Sequence, residues 1–395
     1  MVSGRSNLRR AVIVDALRSP IGRAHKGALT EIRPDDLAAG VVRSLLDRHP
    51  QVDPASIDDV ICGCAYPWGE QGYNVGRAVA LLAGLPHHVP GQTISRLCAS
   101  SLQAIRAAGH AIAVGEGSAF VAAGVESVSR VGRGAELSEP NPRLDPSSPG
   151  ETVSSLHTPM GVTAENVADR YGVGREEMDR YAQRSQERAV HAQLSGFFAR
   201  ETVPVPLPDG GAATLDDGPR PDSSLEKLAS LAPAFREDGR VTAGNSCPLN
   251  DGAAAALVLE EGHARELGLE PRARIVASAV SAVDPAYMGV GPIGAIEAAL
   301  QRAGMTIGDV DVLELNEAFA AQVIPVCREV GIDPFDDRVN PHGGAIALGH
   351  PFGMTGARMM ATLLNGLRAR GGTIGVEAMC VGGGQGQAMV VERLS

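Results

Sequence analysis

A single thiol stands in ISRLCASSLQAI (94–105), directly before residues that repeat at helical spacing, Leu102 and Ile105 among them. A lone cysteine is ordinarily a small buried hydrophobe. In the first turn of a helix it meets a different setting, because unpaired amides and the macrodipole favour thiolate over thiol. The spacing places Cys98 in that first turn, where a base in reach would make it a nucleophile. A candidate base lies far along the chain. His350 sits in NPHGGAIALGHPFGMTG (340–356), in a turn whose glycines imply close backbone approach, before another helical pattern. A second thiol, Cys380, follows a strand-like run in MCVGGGQG (379–386). Thiol and imidazole together form the nucleophile–base pair that acyl transfer requires. Each residue also has a plain reading, Cys98 as packing and His350 as a satisfied structural histidine.

Two halves that repeat each other would position these groups. The first runs AVIVDA (11–16), a helix through LAAGVVRSLLDR (37–48), DDVICGCA (58–65), the helix after Cys98, and AFVAAGVES (119–127). After residue 270 the order recurs as ARIVASAV (273–280), a helix IGAIEAALQRAG (293–304), GDVDVLEL (308–315), a helix after Gly353, and GTIGVEAMC (372–380). Strands alternate with helices in both, so the fold class is α/β, a duplication with each sheet buried between helices. The turn holding His350 then corresponds to the turn holding Cys98, and a pseudo-twofold axis brings the two helix starts face to face. Residues 131–160 are rich in Pro, Ser and Glu, and read as an ordered excursion or lid. Helices over 163–172 and 175–193 and a Pro-rich stretch to about 222 follow. This insertion is a place for substrate contacts or a surface embellishment.

Bulk properties exclude other classes. The 395 residues carry a formal charge of −11 and only 3% are aromatic, which gives no general attraction to nucleic acid and few stacking platforms. The run AVIV (11–14) is too short for a signal segment, and no stretch approaches a membrane span, so the expected compartment is the cytoplasm. Six cysteines over this length form no dense framework and should remain thiols there. CGC (62–64) and His87–His88 match no common zinc spacing, and Cys62 and Cys64 read as one face of a strand, so no metal is expected.

The residues carry a family resemblance. The chain resembles a thiolase, a CoA-dependent acyltransferase, from RSPIGR (18–23) through SRLCASSLQAI, AAGVESVS, MGVTAENVA, VTAGNSCPLNDGAAA, NEAFA and GGAIALGHP to MCVGGGQG. The resemblance implies two βαβαβαββ halves in an αβαβα layering: residues 1–129 (completed by about 250–272), an inserted CoA-binding loop domain over 130–249, and residues 273–395. By the same resemblance Cys98 is the acylated nucleophile, His350 its base, Cys380 the acid/base for the second substrate, and Asn316 the holder of an oxyanion-hole water. The backbone amides of Cys98 and Gly382 form a second oxyanion site. Arg220 and Ser246 or Cys247 match CoA contacts, and Met160, Met288 and Phe319 match the acyl pocket. The implied reaction is thiolysis of a 3-oxoacyl-CoA to acetyl-CoA and a shortened acyl-CoA, or the reverse condensation. CoA is a substrate, no permanent cofactor is expected, and a homodimer or homotetramer is.

Several positions depart from the commoner family pattern: Ser95, Pro159, His342 and Cys247-Pro248. None removes a catalytic group; they bear on acyl specificity and the CoA arm. Two other classes are weighed against the enzyme. A non-catalytic acyl-CoA or lipid-binding relative would be expected to lack a catalytic thiol or the histidine, and a ketosynthase-like enzyme would carry a second histidine in place of Cys380.

Overall fold

The computed structural model describes residues 8–131, 141–145 and 154–395. Much of the excursion expected over 131–160, at 132–140 and 146–153, lies outside the described residues. The first half runs β1 (Ala11–Arg18), α1 (Pro34–Asp47), β2 (Asp59–Gly63), α2 (Val75–Leu82), β3 (Gly91–Ile94), α3 (Ser100–Val114) and β4 (Ala119–Ser127). The helices α4 (Met160–Tyr171) and α5 (Arg175–Leu194) follow, and then β5 (Asn250–Glu260), which returns between β1 and β4. The second half runs β6 (Ala273–Ala282), α6 (Pro292–Ala303), β7 (Val312–Leu315), α7 (Ala320–Glu329), α8 (Thr355–Arg370), β8 (Ile374–Val381) and β9 (Gln385–Arg393).

Pairing within the halves follows one plan. In the first, β1·β5 and β5·β4 are antiparallel while β4·β2 and β2·β3 are parallel. In the second, β6·β9 and β9·β8 are antiparallel and β8·β7 is parallel. The counterpart of β3 shrinks to a single parallel bridge, Leu313 to Val339. The expectation of a separate sheet in each half needs refinement. A short antiparallel seam, Val12 opposite Arg274 and Ile13 opposite Ala273, joins them into one hydrogen-bonded path, β7-β8-β9-β6-β1-β5-β4-β2-β3.

Both faces of β1, β2, β4, β5, β7, β8 and β9 are buried along most of their length, which is why they read as nearly continuous apolar runs, whereas β3 and β6 are only partly covered. Successive side chains alternate between faces. Val12 and Val14 join Val42, Leu45, Val60 and Val79 in an outer core under α1 and α2, whereas Ile13 joins Leu102, Ile105, Met360 and Leu363 in a central core. Ile296, Leu300, Val323, Val376 and Val390 build the other outer core under α6 and α7. The layers are therefore helix, sheet, helix, sheet, helix, with α3 and α8 in the middle layer. Cys62 and Cys64 belong to the first outer core, where they pack.

Candidate active site

The middle layer brings the two helix starts together. Gly356, at the beginning of α8, lies so close to α3 that a Cβ there would stand 2.4 Å from the Leu102 nitrogen. Beside it the Ala357 N–H donates to Ser101 Oγ at 2.9 Å. Any side chain at Gly356 would separate the helices and the turns they carry.

One expectation about Cys98 is corrected here. Helix α3 begins at Ser100, with Ala99 as its cap, so Cys98 lies on the preceding turn rather than in the first helical turn. Leu97 takes a positive φ of 44° there, and its side chain leaves no room for a Cβ on Gly382, which would fall 2.7 Å from Leu97 Cδ1. The absence of that Cβ brings the Gly382 main chain to the sulfur, where it is hydrogen-bonded. The thiolate is nevertheless disfavoured at rest. Burial pushes the Cys98 thiol up to about 11, and the Glu126 charge adds to that, against the Gly382 and Cys98 amides.

His350 is buried and held at three points. Its main-chain N–H donates to Asn250 Oδ1 at 2.9 Å, Nδ1 lies 2.7 Å from Thr355 Oγ1, and Nε2 lies 3.2 Å from Asn316 Nδ2. Thr355 spends its own proton on the Pro351 carbonyl at 2.8 Å, so its oxygen accepts from Nδ1–H. This assignment of the tautomer leaves the Nε2 lone pair free of a proton. Burial, reinforced by the Arg358 charge, holds His350 down to about 3, so it is a neutral imidazole. Asn316 is pinned by its N–H to the Ala378 carbonyl at 2.9 Å. Its Oδ1 is buried without a hydrogen-bond partner among the described residues.

Cys380 is the penultimate residue of β8, two residues before Gly382. Burial lifts its thiol well above the ordinary value, and charge on Cys98 and Cys247 would lift it further. Cys247 joins the same group: its N–H donates to the Ala318 carbonyl at 3.0 Å, and its thiol, raised by burial to about 12, responds to Cys98. The neighbouring Ser246 is buried, bridges to Phe319, and turns its hydroxyl inward to the Thr242 carbonyl at 2.6 Å. Of the Ser246/Cys247 pair, Cys247 is the one with partial exposure.

Met288 and Phe319 are buried, while Met160 starts α4 with 37% of its surface exposed. Phe235, unremarked in the sequence, meets Phe319 edge to face at 6.0 Å. Arg220 is exposed and its N–H is held by Gln186 Oε1 at 2.8 Å. It stands near enough to Arg23 to depress that guanidinium after burial does. Sequence reasoning also missed Asn250, Thr355 and Glu126, although each lies within or beside a quoted motif.

Residues 11–262 match the family description "Thiolase, N-terminal domain" and residues 269–393 match "Thiolase, C-terminal domain". The chain belongs to the thiolase family. It is 45% identical to a 3-ketoacyl-CoA thiolase of Saccharophagus degradans over 98% of this chain and 99% of that one. It is 47% identical to an Escherichia coli 3-oxoadipyl-CoA/3-oxo-5,6-dehydrosuberyl-CoA thiolase, over 98% and 100%. The structure of human mitochondrial 3-ketoacyl-CoA thiolase in complex with CoA superposes with a TM-score of 0.88 at 36% identity, covering 98% of each chain. This thiolase is thus an enzyme, a CoA-dependent acyltransferase of the thiolytic class.

Proposed function

We propose that this thiolase cleaves a 3-oxoacyl-CoA with CoA, giving acetyl-CoA and a shortened acyl-CoA, through an acyl group carried on Cys98. The observation that carries this reading is the geometry of the site: Thr355 Oγ1 accepts from His350 Nδ1–H and so leaves Nε2 without a proton, facing Asn316, while Cys380 and Cys247 stand close enough to Cys98 to respond to its charge. His350 Nε2 takes the Cys98 proton as the sulfur attacks the C3 carbonyl. The C2–C3 bond then breaks, its electron pair moves to C2 as the enolate of acetyl-CoA, and the Cys380 thiol protonates C2. In the second half, Cys380 thiolate takes the proton of CoA, the CoA sulfur attacks the acyl-Cys98 carbonyl, and the Cys98 sulfur leaves and recovers its proton from His350. Run backwards, the same steps condense two thioesters.

Charge develops on different oxygens in these steps, so two oxyanion sites are needed. Once protonated, His350 Nε2–H serves one, together with a water held by Asn316, whose unpartnered Oδ1 supports that role. The amides of Cys98 and Gly382 serve the other. The acyl chain lies against Met160, Met288 and Phe319, and the apolar lining, extended by Phe235, favours a hydrocarbon chain over one ending in a carboxylate. CoA crosses the inserted residues 130–249, with Arg220 and Arg23 toward its phosphates and Cys247 toward its pantetheine arm. The halves 1–129 (completed by about 250–272) and 273–395 flank it, CoA enters as a substrate, and no permanent cofactor takes part.

We read the molecule as a cytoplasmic homodimer or homotetramer. The edge strand β3 lies beside α2, which exposes Leu81 and Leu82, and fully exposed Tyr73 stands just before that helix. Among the described residues no helix is long and apolar enough to cross a membrane. The test of the reaction is thiolysis of a chain-length panel of 3-oxoacyl-CoA thioesters, followed by loss of their Mg-complex absorbance. Mass spectrometry without CoA should find the acyl group on the Cys98 peptide, and Cys98→Ser should carry none. Folded wild type that cleaves no member of the panel, or an adduct on Cys62, Cys64 or Cys327, overturns the reading.

A further inference from the structure

Glu126 is the penultimate residue of β4, is buried, and has no part in the steps above. Its Oε2 accepts two main-chain N–H groups, from Ala65 at 2.9 Å and from Gly353 at 2.9 Å. Oε1 accepts from Gln71 Nε2 at 2.7 Å. The two amides belong to different halves of the molecule. Ala65 follows β2, and its carbonyl accepts from the hydroxyl of Ser95, three residues before Cys98. Next to it, the Cys64 N–H donates to the Ile94 carbonyl at 3.0 Å, so this loop bears directly on the segment leading into Cys98. Gly353 lies three residues after His350, in the turn that carries the imidazole. A Cβ on Gly353 would stand 2.5 Å from the Val125 carbonyl oxygen and 2.8 Å from Cys64 Cα, so the turn and the loop are pressed together where the carboxylate joins them.

We propose that Glu126 is a positioning residue that sets the placement of His350 relative to Cys98 by clamping both of their loops on one carboxylate oxygen. This rests on the roles assigned to Cys98 and His350 above. A buried N–H that loses its acceptor must find another by moving. Both loops meet at Glu126, so its loss releases the two reacting side chains from a common reference. Misplacement on the order of 1 Å costs about 100-fold in rate. Clamping by geometry is distinguishable from an effect of the Glu126 charge on the Cys98 thiol. A glutamine lacks the charge but keeps an oxygen that can accept both main-chain N–H groups, at the cost of setting its amide nitrogen against Gln71 Nε2, whereas alanine keeps no acceptor at all.

Wild type, Glu126→Ala and Glu126→Gln are compared in the thiolysis assay, with thermal unfolding confirming the fold. The expected result is a fall in kcat of about 100-fold for Glu126→Ala with the KM for CoA unchanged, and recovery of part of that loss in Glu126→Gln. Equal losses in the two variants would assign the effect to charge and overturn the inference, as would a folded Glu126→Ala protein with wild-type kcat or a change confined to KM. Should Glu126→Ala not fold, Glu126→Asp takes its place: it keeps the charge but withdraws the oxygens by one methylene, and a wild-type kcat there overturns the inference equally. A wild type without thiolysis would count against the proposed reaction instead, so the two failures are separable.

Discussion

At neutral pH the Cys98 thiol keeps its proton because burial outweighs the Gly382 amide, and His350 stays neutral because burial and Arg358 disfavour imidazolium. Helix-start electrostatics alone would have favoured a standing thiolate. The missing cost was desolvation, which no sequence window displays, and the first-turn placement failed for a related reason, because the positive φ of Leu97 ends the turn before the helix begins. In the proposed reaction, proton transfer would therefore accompany attack rather than precede it. In the proposed reaction Cys380 carries a proton rather than acting as a second nucleophile, and this can be tested apart from acylation. Cys380→Ala protein should still be acylated at Cys98 from acyl-CoA, since that step uses Cys98, His350 and the oxyanion sites. It should fail to exchange the C2 protons of acetyl-CoA with solvent deuterium. Deuterium uptake at the wild-type rate in folded Cys380→Ala protein would remove Cys380 from the reaction.

Elements were legible where their periodicity was strong and only partly where they are short. Helix α3 follows from Leu102, Ile105 and the alanines beyond them, and stops at Gly115, whose φ of 85° suits a residue without a side chain. Strands β1, β4 and β6 follow from apolar runs, whereas the strand expected over 308–315 begins only at Val312, after a short 3-10 turn at Ile307–Asp309. The contacts of Glu126, Asn250 and Thr355 are invisible in sequence because their partners lie in other elements: Asn250 holds His350 from 100 residues away. Element packing makes a prediction of opposite signs for one kind of substitution. Gly40 in α1 has nothing within 4 Å of a Cβ, so Gly40→Ala should stabilise by about 0.5–1 kcal/mol through helix propensity. Gly356→Ala meets the α3 backbone and should cost about 1–3 kcal/mol, with a fall in kcat because both turns shift. Denaturant midpoints measure both, and stabilisation at Gly356 would mean that the two helices do not touch there.

Across the whole molecule, the central layer holds more buried charge than the reaction uses. Arg18 is bound by Glu201 at 2.8 Å and by Asp216 at 2.7 Å, all three buried, which ties β1 to the segment after α5. Within α8, Arg358 faces Glu314 of β7 and Glu377 of β8, directly paired neighbours in the sheet. The two carboxyl groups share the Arg358 guanidinium in a buried interior, with Arg188 acting on Glu314 as well, and both resist ionisation. Burial lifts Glu377 well above its ordinary value and Glu314 to about 8; Arg358 opposes this for Glu314, while Glu317 and Glu201 add to it. The sign of the linkage follows. From about pH 4.5, where an unfolded glutamate releases its proton, to about pH 8, the folded chain still holds the Glu314 proton. Raising the pH through that window therefore lowers stability, and the contribution is fully present only below it. Glu314→Gln removes this titration while keeping the side chain's shape and one acceptor. The difference in unfolding temperature between pH 5 and pH 8 should be smaller in the variant than in wild type, with Glu126, itself raised by burial to about 7, supplying part of what remains. Parallel curves for the two proteins would show that Glu314 is already ionised in the fold, balanced by Arg358, and that the central layer carries its charges as a closed ion pair.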